Sequence, residues 1–270
     1  YISWIFNRID IMTTALNMRP FTEQAWLFAK ISELAYLDEA EGKKEFKALG
    51  FKATLIDVKG SQAYWLENKT DLVIACRGTQ PTEFADIASD LKARPVKSTS
   101  GVKWIHRGFK ESVDNIWPAL KDLADDHGKS RTVWCTGHSL GAAMATLVAY
   151  RLQYSEDCPS PQALFTYGSP KVGTKNYINK IEATGVLHFR FVNNADIVAR
   201  VPPWPYKHFG GMYYMNHYGH LRAPTAWQVT KDVWRGFLVG LKRKEINFFT
   251  NHSITRYAAI LERWKNGDNG

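Results

Sequence analysis

The sequence predicts an α/β fold with a mainly parallel central sheet and helices on both of its faces. Two observations lead to this prediction. β-prone apolar runs alternate with stretches whose apolar residues recur at helical spacing. No internal repeat or low-complexity linker interrupts the 270 residues, which favours one domain. Alternating strands and helices predict right-handed crossovers, which make neighbouring strands parallel and cover both faces of the sheet.

The first predicted elements are a helix and a three-stranded meander. Residues 22–40 place Phe28 and Ile31 at helical spacing, so we expect an amphipathic helix there. Three β-prone runs follow, separated by short polar turns at 59–60 and 69–70. The runs are FKATLIDV, AYWLEN and DLVIACRG. We therefore expect a meander that enters the main sheet.

Strands and helices alternate through the rest of the chain. Further strands are predicted over 131–137, 163–170 and 186–194. Helices are predicted over 109–126, 139–153 and 253–261, with another near 174–184. The order strand, helix, strand, helix, strand is the basis for the parallel sheet.

The composition is that of a globular protein with a sizeable core. Hydrophobic residues make up 45% of the chain and charged residues 23%, which excludes a largely disordered protein. Three cysteines permit at most one disulfide, and Cys76 and Cys135 lie in apolar runs. We expect free thiols in the core.

The net charge of +9 is a weak guide to partners, because a basic surface suits nucleic acid, anionic lipid or neither. The basic residues are mostly scattered, and we expect no nucleic-acid partner. One cluster, Lys242-Arg243-Lys244, is an exception. No apolar run reaches the roughly 18 residues that a transmembrane helix needs. The first residues lack the pattern of a signal peptide, and the compartment stays open.

The strongest chemical signal is the run Gly137-His138-Ser139-Leu140-Gly141. The pattern G-x-S-x-G puts a serine on a tight turn from a strand into a helix. Residues 133–135 before it are strand-like, and residues 142–147 after it favour a helix, so the context fits. A serine that only caps the helix is the alternative. We predict that Ser139 is a nucleophile.

A serine hydroxyl becomes a good nucleophile when a base accepts its proton and a carboxylate orients that base. For this kind of turn the expected chain order is serine, acid, histidine. Asp196 directly follows the apolar strand that ends near residue 194, where such sheets build their sites. A turn cap is the alternative role for Asp196. The other acidic candidates are assigned to helix ends or loops; they are Glu156, Asp157 and Glu182.

Four histidines follow Asp196 and satisfy this order, and we choose His252 as the base. It opens the last predicted helix, so a loop can hold it over the edge of the sheet. His208 and His220 flank a predicted hairpin, where a histidine is more often structural or exposed. His217 is the fourth candidate, and a structural role remains the alternative for His252. His138 is expected to point away from the nucleophile.

Backbone amides are expected to stabilise the oxyanion that forms on the substrate carbonyl. The amide of Leu140, directly after the nucleophile, is one predicted donor. The second is expected from the loop after an earlier strand, where Arg77-Gly78-Thr79 stands. Thr79 also carries a hydroxyl that can donate. A plain turn is the alternative.

Together these residues resemble the class 3 lipases over roughly residues 22–262. The motifs that carry the resemblance are Arg77-Gly78-Thr79, His106-Arg107-Gly108-Phe109, Thr136-Gly137-His138-Ser139-Leu140-Gly141, Tyr167-Gly168-Ser169-Pro170-Lys171-Val172-Gly173, Asn194-Ala195-Asp196 with Val201-Pro202-Pro203, and His252. Two positions depart from the family pattern. Ala142-Ala143 stands where many members have another glycine, and Asn251 stands where an aspartate is frequent. Neither departure removes a catalytic atom.

The resemblance implies an α/β-hydrolase fold that hydrolyses acylglycerols or related esters with no cofactor and no metal. We expect an extension over residues 1–20 and one catalytic domain over 21–270. Lipid esters are the expected substrates, with transient contact at a lipid–water interface. A phospholipase or acyltransferase shares these residues, and a non-catalytic lipid-binding module is the rival from another class.

Two further helices are predicted to meet lipid. The resemblance implies a short helical lid after the oxyanion loop, and a stripe along residues 81–91 fits it; its members are Phe84, Ile87 and Leu91. A second apolar stripe lies in residues 226–244, which end in the basic cluster, and it suits an interfacial helix. The members of this stripe are Trp227, Trp234 and Leu238. Packing on the core explains either stripe as well.

Overall fold

A computed structural model describes residues 14–78, 95–97, 104–127, 130–216, 218–222 and 250–268. Its helices are α1 (Phe21–Leu34), α2 (Glu39–Ala48), α3 (Arg107–His127), α4 (Leu140–Tyr154), α5 (Lys175–Glu182) and α6 (Ile254–Lys265). Its strands are β1 (Lys52–Val58), β2 (Ser61–Glu67), β3 (Asp71–Cys76), β4 (Pro95–Lys97), β5 (Trp104–His106), β6 (Thr132–His138), β7 (Pro161–Tyr167), β8 (Gly173–Thr174), β9 (Leu187–Asn193), β10 (Tyr206–Lys207), β11 (Gly211–Met215) and β12 (Leu221–Arg222). Within these ranges no helix combines the length and apolarity that a membrane span requires.

The central sheet has eight strands in the order β1-β2-β3-β6-β7-β9-β11-β12. Pairing is parallel from β3 through β6, β7 and β9 to β11, and antiparallel at both edges. This confirms the predicted fold class and the meander that enters the sheet. A second sheet, β10-β8-β5-β4, was not predicted, because strands of two or three residues show no readable alternation.

Helices cover both faces of the central sheet. On one face α3 and α4 pack against alternate strand residues, among them Ile74 and Cys135. On the other face α1 and α6 pack against the residues between these, such as Val73 and Trp134. Successive strand residues therefore enter opposite cores, as the period of a strand requires, and both cores are apolar.

The predicted helix over residues 22–40 is wrong in its C-terminal part. α1 ends at Leu34, and α2, which the sequence analysis missed, begins at Glu39. Asp38 lies between the two helices and caps the start of α2. Its Oδ1 accepts a hydrogen bond from the amide of Glu41 at 2.9 Å. A carboxylate that satisfies an amide of the first turn is a helix N-cap, so the acidic run at 38–41 starts a helix.

The cysteines agree with the prediction of free, buried thiols. Cys76, Cys135 and Cys158 are all unpaired and buried. Burial raises the pKa of Cys76 to about 12 and that of Cys135 well above its ordinary value. Cys76 and Cys135 therefore stay protonated and act as small apolar side chains.

A buried carboxylate at the start of β3 joins three parts of the chain. Asp71 is fully buried, and its Oδ1 accepts from Trp134 Nε1 at 2.9 Å. Its Oδ2 accepts from the amide of Leu16 at 3.1 Å and from Thr70 Oγ1 at 2.7 Å. The segment before α1 is thereby tied to the centre of the sheet.

We expect Asp71→Ala to lower the free energy of unfolding by about 3 kcal/mol, because it leaves buried donors without an acceptor. Urea denaturation measures this loss. Asp57→Ala, which removes an exposed carboxylate from β1, is the control, with an expected change below about 0.5 kcal/mol. Equal losses in the two variants would contradict a structural role for Asp71.

Candidate active site

Ser139 lies on the turn between β6 and α4, as the sequence predicts. Its φ of 59° and ψ of −130° are in a region that residues with side chains rarely adopt. A Cβ atom added at Gly137 would lie 2.3 Å from the Gly141 carbonyl oxygen, and one at Gly141 would lie 2.2 Å from that of Cys76. Only glycines allow this close approach, which explains both ends of the motif.

The Ser139 side chain is held in a buried position with its hydroxyl unused. The residue is 1% exposed, and its amide donates to the Tyr167 carbonyl oxygen at the end of β7, at 3.1 Å. Among the residues that the structure describes, none forms a hydrogen bond with Ser139 Oγ. A buried hydroxyl with no partner is uncommon and is a feature of reactive sites.

Asp196 and His252 form a buried pair. His252 Nδ1 lies 2.9 Å from Asp196 Oδ2 and 3.1 Å from Oδ1. Because a carboxylate can only accept, Nδ1 carries the hydrogen of the neutral ring and Nε2 is its acceptor. This is the tautomer that a general base for a serine hydroxyl requires.

Two further donors hold the Asp196 carboxylate. Tyr257 Oη in α6 donates to Oδ2 at 2.6 Å, and the Val198 amide donates to Oδ1 at 2.9 Å. Tyr257 Oη accepts in turn from the Asn193 amide at 2.9 Å. Burial and the charge of Asp196 raise the pKa of Tyr257 well above its usual value, so the hydroxyl stays a donor. Sequence reasoning missed Tyr257, because a tyrosine at an apolar helix position resembles a core residue.

Gly168 brings the end of β7 against this pair. Its φ is +56°, and a Cβ atom there would lie 2.6 Å from Asp196 Oδ2 and 2.8 Å from His252 Nδ1. Any side chain would displace the carboxylate or the imidazole. In the sequence, only the family resemblance marks the run at 167–173. The close contact with Asp196 and His252 explains why a glycine stands at position 168.

His138 supports the backbone of His252. His138 Nε2 lies 2.6 Å from the His252 carbonyl oxygen, so Nε2 carries the hydrogen, and Tyr36 Oη donates to Nδ1 at 2.9 Å. Burial lowers the pKa of His138 well below its usual range, which keeps the ring neutral as both bonds require. The two imidazole rings lie 4.4 Å apart. Sequence reasoning did not foresee this contact or the part of Tyr36 in it.

The structure brings the predicted nucleophile, acid and base to one edge of the sheet. Ser139 and Asp196 follow β6 and β9 at their C-terminal ends, and His252 ends a short 3-10 helix two residues before α6 begins. Two hydrogen bonds link the Ser139 turn to the rest of the site. The Ser139 amide donates to the carbonyl oxygen of Tyr167, which precedes Gly168, and His138 donates to the carbonyl oxygen of His252. Catalytic sites of open parallel sheets occur at this edge.

Of the residues predicted for the oxyanion hole, the lid and the interface, only Leu140 is among the described residues. Leu140 is the first residue of α4, directly after Ser139. Gly78 packs tightly against this turn, since a Cβ atom there would lie 2.7 Å from the His138 carbonyl oxygen. Outside the described residues lie Thr79, Phe84, Ile87, Leu91, Trp227, Trp234 and Leu238.

The competing acids and histidines have other surroundings. His208 Nε2 donates to the Ala199 carbonyl oxygen at 2.6 Å, so it is held by the backbone. His217 is outside the described residues. The rejected acids are exposed; they are Glu156, Asp157 and Glu182. Among the described residues, no cluster of three or more His, Cys, Asp or Glu side chains suits a metal ion.

Comparison with known proteins gives consistent matches. Residues 73–206 match the model of the family described as Lipase (class 3). A chloroplastic phospholipase A(1) of Arabidopsis thaliana is 28% identical over 201 residues, which cover 70% of this chain and 43% of that protein. A lipase of Rhizomucor miehei is 31% identical over 184 residues, 65% of this chain and 50% of that protein. The chain thus spans half or less of the length of these relatives.

A solved structure supports the same assignment. The triacylglyceride lipase of Rhizomucor miehei matches with a TM-score of 0.63 at 25% identity, over 72% of this chain and 79% of that one. This likeness, with the mostly parallel sheet covered by helices, confirms the α/β-hydrolase fold. By its ordered motifs, its sequence matches and its fold, this chain belongs to the class 3 lipase family.

Proposed function

We propose that this chain is a serine carboxylic ester hydrolase that acts on lipid esters through Ser139, Asp196 and His252. One observation carries the proposal, the buried pair in which His252 Nδ1 lies 2.9 Å from Asp196 Oδ2 beside the Ser139 turn. The tautomer that this pair fixes is the one that accepts a proton from a serine hydroxyl. The unused Ser139 hydroxyl supports the same assignment.

In the proposed acylation step, Ser139 Oγ attacks the ester carbonyl while His252 Nε2 takes its proton. Asp196 stabilises the imidazolium that forms, and it stays ionised. The tetrahedral intermediate collapses, the bond to the alcohol breaks, and the alcohol leaves with the proton from His252. Water then repeats the sequence on the acyl-enzyme and releases the fatty acid.

The oxyanion of each tetrahedral intermediate is proposed to bind the amides of Leu140 and Thr79. An amide directly after the nucleophile and a second from the loop after an earlier strand form the usual pair in this fold. The close packing of Gly78 on the Ser139 turn supports this arrangement, because it keeps the residue before Thr79 next to the nucleophile.

Lipid esters are the proposed substrates because the relatives are named as lipases and as a phospholipase A(1). The second candidate is therefore phospholipid acyl hydrolysis by the same triad. We retain as proposals a lid face and an interfacial face; their members are Phe84, Ile87 and Leu91 for the lid, and Trp227, Trp234 and Leu238 for the interface.

An exposed tryptophan in the segment that follows Asp196 in the chain adds a further candidate for lipid contact. Trp204 is 85% exposed and follows Asp196 by eight residues, before the short strand β10. A large exposed aromatic is costly to leave in water and suits the boundary between lipid and water. We propose that Trp204 touches the lipid surface.

We expect Ser139→Ala to lower ester turnover by about a thousandfold or more, because the attacking oxygen is lost. Hydrolysis of a p-nitrophenyl ester, triolein and dioleoylphosphatidylcholine measures this, and the ratio of the last two separates lipase from phospholipase. A fluorophosphonate probe should label the native chain but not the variant. Ser112→Ala, in α3, is the control and should retain activity. Near-native turnover in Ser139→Ala would refute the mechanism.

We expect Gly168→Ala to lower kcat/KM by about a hundredfold, since its Cβ atom would displace Asp196 or His252. Gly185→Ala is a matched control, because Gly185 also has a positive φ, of 75°, but nothing lies within 4 Å of an added Cβ atom. Both variants share the backbone strain of about 1 kcal/mol, which thermal melting detects. If both keep native activity, the contact has no catalytic importance.

We expect Trp204→Ala, made in a Ser139→Ala background, to bind phosphatidylcholine vesicles about tenfold more weakly. The variant loses the apolar side-chain area that Trp204 would bury in the lipid. Tyr154→Ala is the control. Tyr154 is 52% exposed but ends α4, whose 15 residues put it roughly 20 Å from the Ser139 turn. Vesicle sedimentation measures both affinities. Equal weakening in the two variants would argue against a specific contact at Trp204.

A further inference from the structure

The segment that carries His252 is held at two consecutive carbonyl groups. Asn193 Nδ2 donates to the Asn251 carbonyl oxygen at 2.9 Å. His138 Nε2 donates to the His252 carbonyl oxygen at 2.6 Å. Asn193 is the last residue of β9 and His138 is the last residue of β6, so the ends of two strands of the central sheet hold this segment. The proposed acylation step assigns no part to Asn193.

Both carbonyl groups lie in front of helix α6. Amides in the first turn of α6, those of Arg256 and Tyr257, bond to the Ser253 carbonyl oxygen at 3.1 and 3.2 Å. The hydrogen bonds of α6 therefore begin after His252. Thr250–His252 form a 3-10 helix of only three residues. Such a short turn has few hydrogen bonds of its own, so its position depends on the side chains that contact it.

Asn193 is itself firmly placed. It is 1% exposed, and it pairs with Met215 of β11 in the parallel part of the sheet. Its amide donates to Tyr257 Oη at 2.9 Å. A buried side chain at the end of a paired strand has few alternative positions, because the close-packed interior around it leaves little free space. The Asn193 side-chain amide is therefore a fixed point against which the Asn251 carbonyl group is held.

The backbone of Asn193 also begins the turn that carries the acid. Its carbonyl oxygen accepts a hydrogen bond from the Asp196 amide at 2.9 Å. Asn194, which lies within this turn, has a φ of 46°, and asparagine adopts such a left-handed conformation more readily than most residues. Asn193 thus contacts the acid through its main chain and the segment of the base through its side chain.

We propose that Asn193 is a positioning residue for the base, because the hydrogen bond from its side chain to the Asn251 carbonyl oxygen holds the His252 imidazole where it can take a proton. This inference rests on the proposed function, in which His252 is the base. With the bond from His138 alone, the short turn could rotate about one fixed point. A second point of attachment stops this rotation, and a displacement of about 1 Å costs about a hundredfold in rate.

We expect Asn193→Ala to lower kcat for a p-nitrophenyl ester about thirtyfold and to change KM less than about twofold, because a misplaced base slows proton transfer without altering substrate binding. Asn115→Ala is the matched control. It removes another asparagine hydrogen bond, from Nδ2 to Ser61 Oγ at 3.2 Å between α3 and β2, and should keep native kcat. Thermal melting should show a similar loss of about 3 °C in both variants. An equal loss of kcat in Asn115→Ala would contradict a specific role for Asn193.

A double-mutant cycle separates positioning of the base from a general structural role. In a His252→Ala background the base is absent, so Asn193→Ala should change the residual rate less than about twofold. A defect that distorts the Ser139 turn would instead lower the rate by the same factor in both backgrounds.

Asn193→Asp is the second variant, because it nearly keeps the volume of the side chain while an ionised carboxylate has no hydrogen to donate to the Asn251 carbonyl oxygen. It should show a loss of kcat at least as large as that of Asn193→Ala. If the alanine variant does not melt cooperatively, Asn193→Asp takes its place in the cycle.

Three further results would overturn the proposal. The first is native kcat in a folded variant at position 193. The second is an equal loss of rate with and without His252. The third is failure of both variants to melt cooperatively, which would assign Asn193 to the stability of the fold alone. The proposed function fails in a different way, namely if His252→Ala itself keeps native turnover, so the two failures are distinguishable.

Discussion

The site depends on one buried carboxylate and the donors that surround it. Asp196 has no exposed surface, so its charge must be compensated inside the protein. Three donors do this, from His252, Tyr257 and Val198, each between 2.6 and 2.9 Å at its shortest. They come from the segment before α6, from α6 itself and from the turn after β9. Charge compensation therefore also fixes the tautomer and the position of the imidazole.

Two further hydrogen bonds connect His252 to the segment that follows the N-terminal helix α1. Tyr36, just after α1, bonds to His138, and His138 bonds to the His252 carbonyl oxygen. α1 and α6 pack against one another on one face of the sheet, so the backbone near His252 is supported by a large apolar contact. Burial keeps His138 neutral, and a neutral ring next to His252 adds no charge that would oppose imidazolium formation.

The sequence predicted those features whose signal is local. Gly137, Ser139 and Gly141 determine a turn within five residues. Chain order limited the candidates for acid and base, and positions at a strand end and before the last helix led to the choice of Asp196 and His252. Features that depend on distant contacts were not visible. Tyr257 meets Asp196 across 61 positions, and Tyr36 meets His138 across 102. Nothing in a single sequence marks such pairs, because a buried tyrosine has the same pattern whether or not its hydroxyl contacts a polar side chain of the site.

β9 places two buried charges in contrasting situations. Asp196, just beyond its end, is saturated with donors, whereas Arg190, in its middle, has no acid to meet its charge within the described residues. The first arrangement is self-sufficient and needs no ligand to be stable. The second leaves the desolvation of a charge uncompensated by any acid of the described residues, so Arg190 costs stability in the folded state where Asp196 does not.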